Sequence, residues 1–249
     1  MPGPSTSPPP CPIAQEVRPW NAPVAAPHGA AAAAISLGAT VTASPAPATA
    51  TDYHQRLRPT PAGWPRLDRW CLWLEPPQQH GPAAVWDQRW WRAVTAALAT
   101  WQRQLPISVV QDPAQAHVQV LRRRPPLQNR RASHGRAMLQ LLAVRRAEHW
   151  RLEPQVLVLI SPGQAEAPLQ ATALHELGHA FGLWGHSDQA GDAMAVRPGA
   201  QPVLELSPRD QATLRWLQAQ PGLNQELLLR PQTPASQSSN RSAPAADQR

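Results

Sequence analysis

The chain has 249 residues, which is enough for one domain of ordinary size with tails, or for two small domains. The formal net charge of +7 comes entirely from arginine because the sequence contains no lysine, and no run of about 20 apolar residues exists that would form a transmembrane helix. Of the 31 prolines, 14 fall within the first 65 residues, so residues 1–62 are predicted to form a disordered leader or linker rich in proline and alanine.

The predicted leader does not settle the cellular compartment. Its most signal-like stretch, Ala30 to Val41, begins late, and Arg18 is the only basic residue before it. A cleaved signal peptide, which would make the protein secreted or periplasmic, therefore competes with a disordered leader. The two cysteines, Cys11 and Cys71, lie far apart in the sequence, the first in a proline run and the second in an apolar stretch. We expect neither a metal-binding pair nor a structural disulfide between them.

Between residues 63 and 220 the sequence predicts a single compact domain. Apolar residues alternate in short segments and recur every three to four positions in longer ones. The predicted strands are residues 70–74, 107–110, 117–121, 138–142 and 156–160, and the predicted helices are residues 83–104, 168–183 and about 207–220. Residues 221–249 are polar and are predicted to form a disordered tail.

The first predicted helix carries a stripe of large apolar side chains at helical spacing. The stripe consists of Trp86, Trp90, Val94, the pair Ala97 and Leu98, Trp101 and Leu105. We expect it to pack on a sheet; a tryptophan platform for a ligand is the alternative.

Prolines and capping residues define two further boundaries. The strand at residues 156–160 is bounded by Pro154 and Pro162. The last helix has Ser207 as its predicted N-cap, followed by a proline, with Asp210 near the positive end of the helix dipole.

Residues 122–151 are rich in arginine, with nine arginines in the segment. A basic patch for nucleic acid or another polyanion is one interpretation. No interleaved aromatic residues or DNA-binding motif support it, so we expect a solvated loop-and-edge region and no nucleic-acid partner.

One later segment, reading L-H-E-L-G-H-A-F-G-L-W-G-H-S-D-Q-A-G-D-A-M, carries the residues on which the functional prediction depends. His175 and His179 are spaced i, i+4, so on a helix they lie on one face and can bind one metal ion. Glu176 stands between them and can act as a general base. Gly182 can adopt a left-handed conformation that ends the helix and lets the chain bring His186 back as a third ligand. This pattern is typical of a zinc hydrolase.

The segment resembles the motif of the metzincin metallopeptidases, and within them the matrixin-like group, including the matrixin-like peptidases predicted in bacteria and cyanobacteria. The metzincin pattern H-E-x-x-H-x-x-G-x-x-H puts its third histidine three residues after the glycine, a position that is Gly185 here. His186 comes one residue later, and Met194 follows it by eight residues, the spacing that matrixins show between third ligand and Met-turn. The resemblance implies a turn lengthened by one residue, with Met194 as the Met-turn residue. Asp188 is the alternative third ligand.

The resemblance extends over residues 63–218 and implies an α+β fold. Its metzincin-like form is a twisted mixed β-sheet with two packed helices, one of them the active-site helix, and a small C-terminal helical subdomain. The implied function is that of a zinc-dependent endopeptidase acting on protein or peptide substrates. One catalytic Zn²⁺ is bound by His175, His179 and His186, and Glu176 accepts a proton from the attacking water.

Other matrixin features are absent or are implied only by resemblance. Matrixins commonly carry a structural zinc and a calcium loop built from aspartates and histidines. Between Arg122 and Pro154 this chain has His134 and His149 but no aspartate, so no structural zinc or calcium site of that type is expected. The loop at residues 195–204 is implied to form the substrate pocket.

Two other functions stay open. The chain could be a zinc-binding but catalytically silent interaction domain, although such a site has no use for Glu176, or an arginine-rich polyanion-binding module. Cys11 could be the cysteine that silences a matrixin proenzyme, or an incidental cysteine. We expect a monomer.

Overall fold

The computed structural model describes residues 11–21, 51–127, 132–146 and 148–228. The signal-like stretch from Ala30 to Val41 lies outside these ranges, as does most of the predicted tail, from residue 229 onward. Among the described helices, none combines the length and the apolarity needed to cross a membrane.

A six-stranded mixed sheet and three α-helices form the described part of the chain. The strand order is β1–β5–β6–β4–β2–β3, in which β2, β3, β4 and β6 run parallel and β5 is antiparallel to β6 and β1. This mixed α/β arrangement is compatible with the predicted α+β class. The strands are β1 (Glu16–Pro19), β2 (Trp70–Leu74), β3 (Ile107–Val109), β4 (Val118–Leu121), β5 (Gly135–Arg146) and β6 (His149–Ile160), and the helices are α1 (Ala84–Gln102), α2 (Glu166–Ala180) and α3 (Pro208–Gln218).

The helices α1 and α2 pack against each other and share one apolar core with β2, β4 and β6. Trp90 and Trp101 of α1 are fully buried, and their indole N–H groups donate to the carbonyl oxygens of Ile160 at 3.1 Å and Leu174 at 3.0 Å. These bulky rings are thus buried without an unpaired donor. The predicted stripe is wrong at Trp86, which is 54% exposed because the first turn of α1 lies outside the core.

The strands β5 and β6 form a hairpin that is longer than the sequence predicted. Both strands have 12 residues, and Pro154, the predicted boundary, lies inside β6. Pro154 pairs with Leu141, whose carbonyl oxygen accepts a hydrogen bond from Trp20 N of the neighbouring segment at 3.0 Å. The backbone groups of Leu141 thus point towards β1, and those of Pro154 point away from β5. The missing N–H of the proline therefore removes no hydrogen bond from this hairpin.

Half of the arginine-rich segment, residues 122–151, belongs to strands β5 and β6, so it holds more strand than the single one predicted at residues 138–142. Several of its arginines are tied into the fold. Arg122 contacts Asp87 of α1 at 3.1 Å, and Arg146 contacts Glu153 across the hairpin at 2.8 Å.

Cys11 and Cys71 form a disulfide, so the prediction that they stay unpaired is wrong. The partners are 60 residues apart in sequence, so the bond is a tertiary contact that no local sequence pattern reports. After Cys11 the chain continues into β1, which pairs with the last part of β5. The prediction of a disordered leader over residues 1–62 is therefore also wrong for residues 11–20, because this segment supplies an edge strand that the short polar sequence did not reveal.

Two more segments outside the predicted domain boundaries pack onto the domain. Tyr53 and Leu57, in a segment with a short 3₁₀ turn, are each 3% exposed and belong to the main core. Leu223 is buried and bridges to Gly63. The domain therefore begins before residue 63 and continues beyond residue 220.

The predicted start of α3 is confirmed. Ser207 Oγ accepts a hydrogen bond from Asp210 N at 3.0 Å, and the Asp210 carboxylate accepts one from Ser207 N at 2.9 Å. This capping box satisfies two backbone donors that a helix start would otherwise leave unpaired.

Candidate metal centre

The helix α2 holds the first two predicted ligands. His175 and His179 are one turn apart on it, and their ring centroids are 4.9 Å apart. Gly182 follows the helix with φ +104°, which confirms the left-handed turn predicted there. The chain then reverses into the segment 182–195, here called the histidine loop.

The histidine loop brings His186 to the same point in space. The nitrogens that His175, His179 and His186 can offer to a metal all lie within 4.8 Å of one another. His179 Nε2 and His186 Nε2 are 3.2 Å apart. Two nitrogens on one tetrahedral zinc, at Zn–N distances of about 2.0–2.1 Å, are separated by about 3.3 Å. The observed spacing therefore fits two ligands of one metal ion.

Backbone carbonyl groups orient two of these rings. His175 Nδ1 lies 2.9 Å from Ala193 O, and His179 Nδ1 lies 2.8 Å from Leu183 O. A carbonyl oxygen only accepts hydrogen bonds, so in each ring Nδ1 carries the proton and donates. The Nε2 atoms keep free lone pairs, as metal ligation requires.

All three imidazoles are held in the neutral form. Burial lowers the pKa of His175, and burial together with the charges of the other two histidines lowers the pKa of His179 to about 3. Burial and the charge of His175 lower the pKa of His186 to about 4. Metal binding at neutral pH therefore displaces no proton from these rings.

Glu176 directly follows His175 on α2 and is 9% exposed. Burial raises the pKa of Glu176 to about 7, although a hydrogen bond from the Ala137 backbone N–H and the charge of Arg136 oppose the rise. The carboxyl group fits because β5 begins with Gly135, where an added Cβ would lie 2.5 Å from Glu176 Cγ and 2.6 Å from its Oε1. A carboxyl group near its pKa at neutral pH can both accept and donate a proton.

Met194 lies behind the ligand helix and is fully buried. A Cβ added to Gly178 would overlap Met194 Sδ and lie 3.0 Å from the ring of Trp101. The methionine is held by its backbone: the Asp210 carboxylate accepts hydrogen bonds from Ala193 N at 2.8 Å and from Met194 N at 3.4 Å. The sequence did not reveal this role, because Asp210 is 16 residues further along the chain and looked like a helix cap alone.

Asp188, the alternative third ligand, is not part of the histidine cluster. Its carboxylate oxygens accept hydrogen bonds from Arg56 at 3.0 Å and Arg209 at 3.1 Å. Cys11 is bonded to Cys71, so this structure offers no free thiol that could silence the site.

Comparison with models of known protein families gave no match to this chain, and comparison with curated protein sequences gave none either.

Proposed function

We propose that the protein is a zinc-dependent endopeptidase of the metzincin type, most similar to matrixins. The observation that carries the proposal is the convergence of three neutral histidines on one point, with the buried Glu176 next to His175 on the same helix. The motif, Met194 behind it and the long turn to His186 support the family assignment and the metzincin form of the fold.

The donor set favours zinc. Three imidazole nitrogens without a thiolate or carboxylate are the ligand set of several catalytic zinc sites, which leave a fourth position open. A zinc ion bound there acts as a Lewis acid that lowers the pKa of water to about 7.

Glu176 supplies the proton transfer in this proposal. The carboxylate accepts a proton as water attacks the peptide carbonyl, and it then gives the proton to the leaving amine. Because burial keeps its pKa at about 7, the group exchanges protons readily at neutral pH.

An extended peptide is the substrate that the adjoining sheet edge favours. β1 pairs with residues 142–145 of β5, and within the described residues no strand covers the preceding part of β5, next to Glu176. Leu141 directs its carbonyl towards β1, so Leu139, two residues back, directs its backbone groups towards the same open edge. A peptide added there pairs antiparallel to β5, as β1 already does. The loop at residues 195–204 is proposed to shape the pocket beside it.

The disulfide between Cys11 and Cys71 is compatible with an oxidising compartment. This supports the proposal that the protein is secreted or periplasmic.

The proposal is tested by peptide cleavage with controlled metal content. Metal-free protein, prepared with a chelator, is mixed with a pool of unrelated peptides, and the products are identified by mass spectrometry. We expect no cleavage until zinc is added back, and cleavage at internal bonds once about one equivalent is present. Zinc binding without cleavage of any peptide would instead support a silent metal-binding domain.

A further inference from the structure

Residues 52–58, here called the strap, lie directly against the histidine loop. Arg58 N donates a hydrogen bond to Trp184 O at 2.8 Å. A Cβ added at Gly185 would overlap the carbonyl oxygen of Arg56 and lie 2.8 Å from its carbonyl carbon. The backbones of the two segments thus touch at the residue immediately before the third histidine.

The strap also contacts the loop on the other side of that histidine. The Arg56 guanidinium pairs with Asp188 at 3.0 Å. Arg209 of α3 joins the same cluster, with Asp188 at 3.1 Å and the carbonyl oxygen of Asp52 at 3.4 Å. Residues 184, 185 and 188 are therefore all in contact with one continuous segment.

The strap is itself anchored on α3. Tyr53 is buried; its backbone N–H donates to Thr213 Oγ1 at 3.0 Å and its hydroxyl donates to Asp210 at 2.6 Å. The ring of His54 stacks on Trp216 with centroids 4.6 Å apart. The strap can therefore hold the histidine loop in one place.

The third histidine needs such support more than the other two. His175 and His179 lie on a helix, and carbonyl groups orient their rings. For His186, no hydrogen bond to Nδ1 is found among the described residues, and its ring is stacked on His175 at 5.2 Å. The position of His186 thus depends mainly on the backbone that carries it.

We infer that the strap is a positioning element for His186 and thereby sets how tightly the protein holds its metal ion. The inference rests on the metal binding proposed above. It also explains why Gly185 stands in the lengthened turn, since any larger residue there meets the backbone of the strap.

The test is the zinc affinity of Gly185→Ala, measured by competition with a chelating indicator. Displacing the support of a metal ligand weakens metal affinity by about 10- to 100-fold, which is the loss we expect. Gly191→Ala is the matched control, because Gly191 lies in the same loop and a Cβ added there has no atom within 4 Å. The control should keep the affinity of the natural protein. Unchanged affinity in Gly185→Ala would overturn the inference.

A second measurement separates positioning from general damage. In a His186→Ala background the metal has only two histidine ligands, so Gly185→Ala should weaken zinc binding no further. An equal loss in both backgrounds would mean that the strap does not act through His186.

If Gly185→Ala does not fold, Arg56→Gln replaces it. We then expect a several-fold loss of zinc affinity, and an unchanged affinity would contradict the inference. If the natural protein binds no zinc, the proposed function fails. If the natural protein and the strap variants bind zinc equally well, only the inference about the strap fails.

Discussion

Two glycines make room for the groups at the centre of the proposed site. A side chain at Gly135 would occupy the space of the Glu176 carboxyl group, and one at Gly178 would occupy that of Met194. Neither glycine has a positive φ, so their role is the absence of a Cβ and not backbone flexibility.

Gly178→Ala measures how tightly Met194 is packed behind α2. Alanine favours a helix over glycine by about 1 kcal/mol, but overpacking a core costs about 1–3 kcal/mol. Because the added Cβ would overlap Met194 Sδ, we expect a cost of about 2–3 kcal/mol, so the free energy of unfolding of the metal-free protein should fall by roughly 1–2 kcal/mol after the helix gain, measured by chemical denaturation. Gly191→Ala, in open space, should change it by less than about 0.5 kcal/mol. Equal stability of both variants would show that the Met194 side chain moves aside at little energetic cost.

The sequence predicted residues whose geometry is local. The i, i+4 spacing of His175 and His179 and the turn at Gly182 depend on one helix and its end, so the pattern contains them. The Gly135 contact and the Asp210 hydrogen bonds join distant segments, and no spacing rule reports them.

At the scale of elements, a buried charge cluster lies at the turn end of the β5–β6 hairpin. Glu153 accepts hydrogen bonds from Arg146, and His117 Nε2 lies 3.5 Å from it. Burial raises the pKa of Glu153, but the hydrogen bonds and charges of His117 and Arg146 outweigh burial and lower it to about 2. Ionised Glu153 therefore stabilises the fold above its unfolded pKa of about 4.5, and this contribution is lost as the pH falls towards 2.

Glu153→Gln should therefore destabilise the metal-free protein at neutral pH by on the order of 3 kcal/mol. The difference in stability between the variant and the natural protein should shrink between about pH 4.5 and pH 2, because Glu153 becomes protonated and is then uncharged like glutamine. Unfolding curves at several pH values measure it, with the exposed Glu148→Gln as control. A difference that is independent of pH would contradict the assigned pKa.

Element types were predicted better than element ends. Strand β2 was predicted with its observed bounds, because its apolar run is flanked by turn residues on both sides. The start of β6 was missed because a proline normally ends a strand, and only the pairing with Leu141 explains why Pro154 is tolerated. Strand β1 was missed because four residues in a proline-rich segment carry no detectable period.

At the scale of the whole molecule, the disulfide links the N-terminal segment to β2, which lies towards the opposite edge of the sheet from β1. Closing a loop of 60 residues typically stabilises a fold by roughly 2–4 kcal/mol. The double variant Cys11→Ser, Cys71→Ser should lose stability of that order in denaturant unfolding. It should still bind one equivalent of zinc, because the ligands lie on α2 and the histidine loop. Undiminished stability would mean that this link is not structural.

The central claim is that the metal and Glu176 act together in hydrolysis. Zinc content and peptide cleavage, measured on the same samples of the natural protein and Glu176→Gln, test it most directly. We predict about one zinc per chain in both, with cleavage reduced by at least about 100-fold in the variant, because the amide cannot accept the proton of water. Equal cleavage by the two proteins, or a natural protein without zinc, would contradict the claim.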